Sequence, residues 1–245
     1  MTCGRLFLIP SPLGDCAPSE VIPQAVLDIL PNIRRYVVEE TRTARRYLSA
    51  AGLKGRIGDL EFRELNEHTK PSEVESLLEM FSDKDGSPVD VGLISEAGLP
   101  AVADPGAQLV ALCHVHGIQV VPLVGPSSLM LALMASGLNG QNFAFCGYLP
   151  AKADERRKAI IEIERRSAKL RQTEIFIETP YRNDSLMAEL LAVLQPSTRL
   201  CSAANITMPD ERIATRTVKQ WRTLSASDPS LVAIGKRPCV FLLLA

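Results

Sequence analysis

The feature that most constrains this chain is an alternation in its first half. Short apolar runs, RLFLIP (5–10), RYVVEE (35–40), DVGLIS (90–95) and IQVVPLV (118–124), are separated by segments bearing helix signals, and DLEFRELNE (59–67) is a further strand candidate. A run that is apolar throughout has to be buried on both faces. Strands of that kind alternating with helices predict βαβ units and a mainly parallel sheet. The helix signals are specific. One helix ends before Pro31, and TRTARRYLSAAG is closed by Gly52. KPSEVESLLEMF opens with Pro71, Ser72 and Glu75 as a capping box. GAQLVALCHVHG stops at Gly117, and PSSLMLALMASG runs from Pro126 to Gly137.

Beyond residue 140 the pattern changes. QNFAFCGYLPAKADE reads as a strand entering a connector around Pro150, followed by a charged helix over 153–171. Then come strand EIFIETP, helix RNDSLMAELLAVL, strand RLCSAANIT, the segment ERIATRTVKQW and strand CVFLLLA. Strands without long helices between them predict a mixed α+β second domain. The expected division is an N-terminal α/β domain over 1–145 and a C-terminal domain over 146–245.

Several function classes are set aside by composition. No apolar run reaches the roughly 18–20 residues that span a bilayer. The N-terminal run stops at Pro10, too early for a signal-peptide core. Cys3, Cys16, Cys113, Cys146, Cys201 and Cys239 include no C-x-x-C pair, so they read as free thiols of a reducing cytoplasm. His114 and His116 stand at i, i+2 and point to different helix faces, and no metal is predicted. The formal net charge of -1 does not announce nucleic acid. Local charge is less even. Residues 152–171 carry eight Lys/Arg against four Asp/Glu, and residues 34–46 hold Arg34, Arg35, Arg42, Arg45 and Arg46. Each segment is either a solvated face or a surface for an anionic partner.

Four unusual segments follow strands: PSPLGD (10–15), SEAGLPAVADPG (95–106), VGPSS (124–128) and ETPYRN (178–183). Ligands of open α/β sheets bind outside the carboxyl ends of the strands. Glycine there lets backbone N–H groups approach a ligand, hydroxyls hydrogen-bond it, and carboxylates hold ribose hydroxyls or a cation. G-x-G-x-x-G, the P-loop signature and G-x-S-x-G are all absent. The residues alone predict a small-molecule site at an α/β crevice near a domain junction.

At LFLIPSPLGD, VEETRTARRYL, LISEAGLPAVADPG, VVPLVGPSSLMLALMASGL, FCGYLPAK and IFIETPYR the chain resembles the tetrapyrrole methylase superfamily of S-adenosylmethionine (SAM)-dependent methyltransferases. Within it, the chain is most similar to enzymes that methylate a cytidine ribose 2'-hydroxyl of small-subunit ribosomal RNA, as a short member without their C-terminal helical extension. The resemblance implies a two-domain α/β fold, a homodimer and SAM in the inter-domain cleft. Carried over by position, SAM contacts would be Pro10, Glu96, Ala97, Gly98, Ala101, Val102, Ser127 and Ser128, joined by Ala203, Ala204 and Asn205.

A ribose hydroxyl must lose its proton, so a base is expected. Asp15 and Glu178 are the preferred catalytic candidates, with Glu96 assigned to SAM. Asp104 is either a further base or a cap of the next helix. Leu13-Gly14-Asp15 is closer to the tetrapyrrole branch than the RNA enzymes' usual Asn-ended motif, and Asn205-Ile206-Thr207-Met208 replaces their ELTK. Three readings follow: an RNA methyltransferase acting on ribosomal RNA or the small subunit, a tetrapyrrole (precorrin-like) or other small-molecule methyltransferase, and a SAM-binding module without catalysis.

Overall fold

The computed structural model describes residues 4–245. Cys3 lies outside the described residues. Contacts divide the chain into two compact units, Met1–Ser127 and Ser128–Ala245, ahead of the 145/146 division expected from the sequence.

The first unit is built on five parallel strands, β1 (Leu6–Leu8), β2 (Arg35–Val38), β3 (Glu61–Glu64), β4 (Val91–Ile94) and β5 (Val120–Pro122), in the order β3-β2-β4-β1-β5. Both faces are covered, which is why these strands read as continuous apolar runs. One face packs Leu30, Tyr36 and Leu48, the other Leu65, Phe81 and Leu109. Gly92 in β4 has no room for a side chain: a Cβ there would lie 2.6 Å from Ile9 Cδ1.

The helix expected before Pro31 is broken into α1 (Pro18–Val21) and α2 (Gln24–Leu27). Pro23 is the cause: it pushes Ile22 into extended backbone (φ −104°, ψ 126°). Helix α3 (Thr41–Leu48) is capped by Glu40, whose carboxylate accepts the N–H groups of Arg42 and Thr43, and it turns Ala44, Tyr47 and Leu48 inward. Helix α4 (Pro71–Ser76) corrects the expected Ser72/Glu75 box. Pro71 occupies the first helical position, so Glu73 is third and accepts the Lys70 N–H at 3.0 Å. Helix α5 is Gly106–Val115, and both Gly117 and Gly137 take the left-handed conformation beyond helix ends.

The second unit contains α6 (Ser128–Ser136), β6 (Phe143–Tyr148), α7 (Ala153–Leu170), β7 (Thr173–Ile177), α8 (Asn183–Val193), β8 (Arg199–Ala204), β9 (Arg212–Thr217), α9 (Val218–Ser227) and β10 (Cys239–Leu244). Its sheet runs β6-β7-β10-β8-β9; only β6 and β7 are parallel. The core centres on Trp221, fully buried with its indole N–H donating to Leu200 O at 2.9 Å. Helix α7 is less solvated than its composition suggests. Arg156 turns inward to Glu189 at 2.5 Å, and Glu164 accepts from Gln195 N–H at 2.8 Å. Arg166 pairs with the wholly buried Glu174.

Among the described residues Cys16, Cys146, Cys201 and Cys239 are free thiols, and Cys113, Cys201 and Cys239 are buried. No described helix is long and apolar enough to cross a membrane.

Candidate functional site

Order β3-β2-β4-β1-β5 puts β4, β1 and β5 side by side, so their carboxyl-end loops meet. Ser11 N–H donates to Gly98 O at 2.9 Å, and Gly98 N–H donates back to Ser11 O at 3.1 Å. Gly98 stands at φ 76°, and a Cβ there would lie 3.1 Å from Leu13 Cδ2 and 3.4 Å from Pro126 O. The third loop is as close: a Cβ on Gly125 would fall 2.1 Å from Pro10 Cβ. Side chains tighten the join. Ser11 Oγ donates to Ser95 O at 3.2 Å, and Tyr47 OH reaches from α3 to Pro10 O at 2.8 Å.

Beside this join lies a cleft of about 310 Å³, lined by Ser11, Leu13, Asp15, Tyr47, Glu96 and Ala97 among others. The structure thus brings together Asp15 and Glu96, one from the loop after β1 and the other from the loop after β4. Both are exposed to the cleft. Burial, with Glu39 and Glu40 nearby, raises the Glu96 carboxyl above the ordinary range. Its backbone N–H donates to Glu39 Oε2 at 3.2 Å.

Farther along the loop, Ala101 (φ 65°) and Ala103 (φ 61°) hold left-handed backbone without being glycine. Such residues cost about 1 kcal/mol or more each and persist where the surroundings demand the shape. Val102 between them is exposed. Asp104 Oδ1 accepts the Gly106 N–H at 2.6 Å as α5 begins, while Oδ2 is buried without a partner. Burial is the leading cause of the raised Asp104 carboxyl. Ser127 closes the first unit and Ser128 opens α6.

The remaining candidates lie in the second unit. Strand register pairs Ile177 with Val240 and Ala204 with Cys239, so Glu178 and Asn205 follow strands that finish at the same end of the sheet. Ala203 and Ala204 are buried inside β8. Glu178 is buried; its Oε1 accepts Thr179 N–H at 2.7 Å and pairs with Arg182 at 3.0 Å, while Oε2 has no partner. Asn205 (φ 48°) gives its amide to Asp210 at 2.9 Å, and Thr207 (φ 72°) buries a hydroxyl oxygen without a partner. No group of three or more His, Cys, Asp or Glu among the described residues is placed to hold a metal ion.

Sequence reasoning missed Ser11, Leu13 and Tyr47. Ser11 and Leu13 sat inside a quoted loop but carried no distinguishing chemistry. Tyr47 reads as a core residue of an amphipathic helix, and only its hydroxyl, meeting a strand-end carbonyl, ties it to the site.

Comparison with known proteins completes the picture. The family description Tetrapyrrole (Corrin/Porphyrin) Methylases matches residues 25–221. "Ribosomal RNA small subunit methyltransferase I" of Vibrio cholerae is 32% identical over 91% of this chain and 72% of its own length. The protein of the same name from Neisseria meningitidis serogroup A is 34% identical over 92% of this chain and 72% of its own. Among solved structures, the methyltransferase CobJ superposes with a TM-score of 0.62 at 17% identity, covering 98% of this chain and 94% of that one. Uroporphyrin-III C-methyl transferase from Thermus thermophilus, complexed with S-adenyl homocysteine, gives 0.56 at 19% identity over 98% and 97%.

The family match and the named relatives, on a two-unit α/β fold, define a methyltransferase whose sequence carries neither a dinucleotide fingerprint nor a P-loop. The chain belongs to the tetrapyrrole (corrin/porphyrin) methylase family.

Proposed function

We propose that this protein is a SAM-dependent methyltransferase acting on a cytidine ribose 2'-hydroxyl of small-subunit ribosomal RNA. The observation that carries the reading is the contrast between the two kinds of relative. Proteins named for ribosomal RNA match at 32–34% identity across nine-tenths of the chain, whereas the tetrapyrrole enzymes share its fold at 15–19%. The small-molecule alternative therefore rests on the shared family and fold and on the Leu13-Gly14-Asp15 motif.

The crevice fits the co-substrate. SAM brings a ribose diol and cationic centres; Glu96 offers an acceptor, Leu13 and Tyr47 an apolar wall, and the Ala97–Gly98 backbone a close approach. Pro10, Ala101, Val102, Ser127 and Ser128 belong to the proposed contacts of that loop cluster. Ala203, Ala204 and Asn205 are proposed contacts at the carboxyl end of β8 in the second unit. When bound, SAM supplies an activated methyl group on sulfur. The protein's task is to hold the acceptor oxygen at a near-attack distance of roughly 3–3.5 Å and to take its proton. As the O–C bond forms, the C–S bond breaks and S-adenosylhomocysteine leaves. Asp15 and Glu178 are the proposed proton acceptors.

We also read the protein as a cytoplasmic homodimer. Free thiols at Cys16, Cys146, Cys201 and Cys239 suit a reducing compartment. Edge strand β6 exposes Phe143, Phe145 and Tyr148, an apolar row of the kind that a second copy covers. Sedimentation of the purified protein reads the dimer directly. The activity is tested with small ribosomal subunits lacking ribose methylation. Methyl incorporation from labelled SAM should exceed that of Asp15→Ala and Glu178→Ala variants by about 100-fold or more, the scale of a lost general base. Equal incorporation by all three proteins would remove the RNA reading.

A further inference from the structure

Arg42, Arg45 and Arg46 fall at i, i+3 and i+4 of α3 and stand together on its exposed face. Lys54 joins them because the chain widens into a π-turn over Ser49–Leu53 and reverses at Gly52 (φ 105°). With Ile57 as an apolar wall, these side chains line a groove of about 1040 Å³.

Among the described residues none of these four cations forms a salt bridge. Like charges at i, i+4 are unfavourable to an isolated helix, so the row is not there for α3's own stability. Glu40 is the one carboxylate in the lining. Its oxygens accept from the Thr43 hydroxyl and from the Arg42 and Thr43 N–H groups, all at 2.7 Å, which holds its carboxyl below the usual range as it caps the helix. The Arg45 guanidinium lies 5.9 Å from the Phe62 ring, giving it a fixed, flat cationic face.

Other basic segments differ. Arg35 is committed to Glu61 and Asp83, Arg156 to Glu189 and Arg166 to Glu174. The exposed cations of α7 alternate with Asp154, Glu155 and Glu162.

The groove is also continuous with the cleft that holds Asp15 and Glu96, since Arg46 and Ala50 line both. A polyanion lying along α3 would deliver its neighbouring residue to those carboxylates. Unpaired cations beside an apolar wall are what single-stranded nucleic acid uses, phosphates on the charges and a base on the flat surface.

We infer that the α3 groove is the track for the RNA backbone flanking the acceptor nucleotide, with phosphates on Arg42, Arg45 and Lys54. This rests on the RNA methyltransferase reading above. The test is the combined Arg42→Ala, Arg45→Ala, Lys54→Ala variant of the full chain, which keeps good helix formers in α3. Three readouts are taken: filter binding to a small-subunit ribosomal RNA fragment across a salt series, SAM calorimetry, and methylation of undermethylated subunits. We expect RNA affinity to fall at least 10-fold. The salt slope should drop by roughly 2, for three phosphate contacts at about 0.7 each. SAM affinity should stay within twofold, and methylation should lose through KM rather than kcat. Arg42→Lys with Arg45→Lys keeps the charge and should restore the slope. A variant whose RNA affinity and salt slope match the parent protein overturns the track. So does an equal loss from Arg157→Ala, Lys158→Ala, Arg165→Ala on α7. A parent protein that binds SAM but neither binds nor methylates the RNA overturns the underlying reading and the track together. A parent that methylates while the α3 variant matches it overturns the track alone.

Discussion

Ser11 and Gly98 exchange both of their backbone hydrogen bonds, at 2.9 and 3.1 Å, joining the loops that leave β1 and β4. Parallel neighbours whose connections depart toward different strands would otherwise leave these loops unpaired. The exchange requires Gly98 at φ 76°, with Leu13 Cδ2 only 3.1 Å from where a Cβ would sit. Gly98→Ala should therefore lose about 1–2 kcal/mol of stability from left-handed backbone alone. Because the same shift pushes Leu13 at the cleft wall, SAM affinity should fall about 10-fold. Denaturant midpoints and calorimetry read the two effects separately. An unchanged affinity would detach the bridge from the co-substrate.

Tyr47 tests the join from the opposite side. Its ring is buried, burial pushes the phenol far above its ordinary range, and its hydroxyl donates to Pro10 O at 2.8 Å. Tyr47→Phe keeps the ring and removes the bond, leaving the carbonyl of a strand-end proline without that donor. The expected cost is about 1 kcal/mol, seen as a lower melting temperature, with a matching weakening of SAM binding.

Much of this arrangement could be read from residues, and the failures have physical causes. Strands β1, β2 and β4 are covered on both faces, so their apolar runs are unambiguous. Glu96 and Gly98 stood out because acidic and glycine residues are out of place where a buried strand stops, whereas Pro10 came only from the family resemblance. The break at Pro23 was missed because a helix signal was read through a residue that cannot continue one. The α4 box slipped from Ser72/Glu75 to Lys70/Glu73 because Pro71, by taking the first helical position, decided which carboxylate is third. Tyr47 and the α3 groove depend on what packs against them, and local sequence does not specify that. The basic segments show the same limit. Composition could not separate residues 152–171 from 34–46, yet burial commits Arg156 and Arg166 to internal carboxylates and leaves Arg42, Arg45 and Arg46 open.

Glu96 gives a pH dependence with a definite sign. As a hydrogen-bond acceptor for a ribose hydroxyl it is strongest when ionised. Burial and the neighbouring Glu39 and Glu40 raise its folded-state value above the ordinary 4.5. SAM affinity should therefore be full at neutral pH and decline as pH falls, beginning above the range of an ordinary glutamate. The raised value also means that ionised Glu96 opposes folding slightly, an effect lost on acidification. Glu96→Gln should flatten the affinity profile; an unchanged profile in that variant would assign the titration to another group.

Arg166 and Glu174 form the second unit's internal charge pair. Glu174 is wholly buried between β6 and α7, and its oxygens accept from the guanidinium at 2.8 and 2.5 Å. The Cys146 thiol donates to it at 3.1 Å and, mainly through burial, has its own pKa pushed up to about 11. Arg166→Met removes the partner and leaves a carboxylate out of water, which should cost about 3 kcal/mol in urea unfolding. Glu174→Gln with Arg166→Met should recover part of that loss, because the amide carries no charge.

Glu178 separates a structural role from a chemical one. Its Oε1 is fully used, accepting from Thr179 N–H and pairing with Arg182, while Oε2 is buried and bonds nothing. Unpartnered buried carboxylate oxygens are rare in a settled core, because each forgoes hydrogen bonds it had in water. Glu178→Gln can keep every Oε1 contact by placing its amide nitrogen at the Oε2 position. The fold should then survive with a melting temperature close to that of the parent, while an acceptor becomes a donor at that one point. If Oε2 receives the ribose proton, single-turnover methyl transfer should slow about 100-fold or more with SAM affinity retained. Glu178→Ala should add a stability loss through the orphaned Arg182. A Glu178→Gln protein that methylates at the parent rate would leave the base to Asp15, the carboxylate that lines the first unit's cleft together with Glu96.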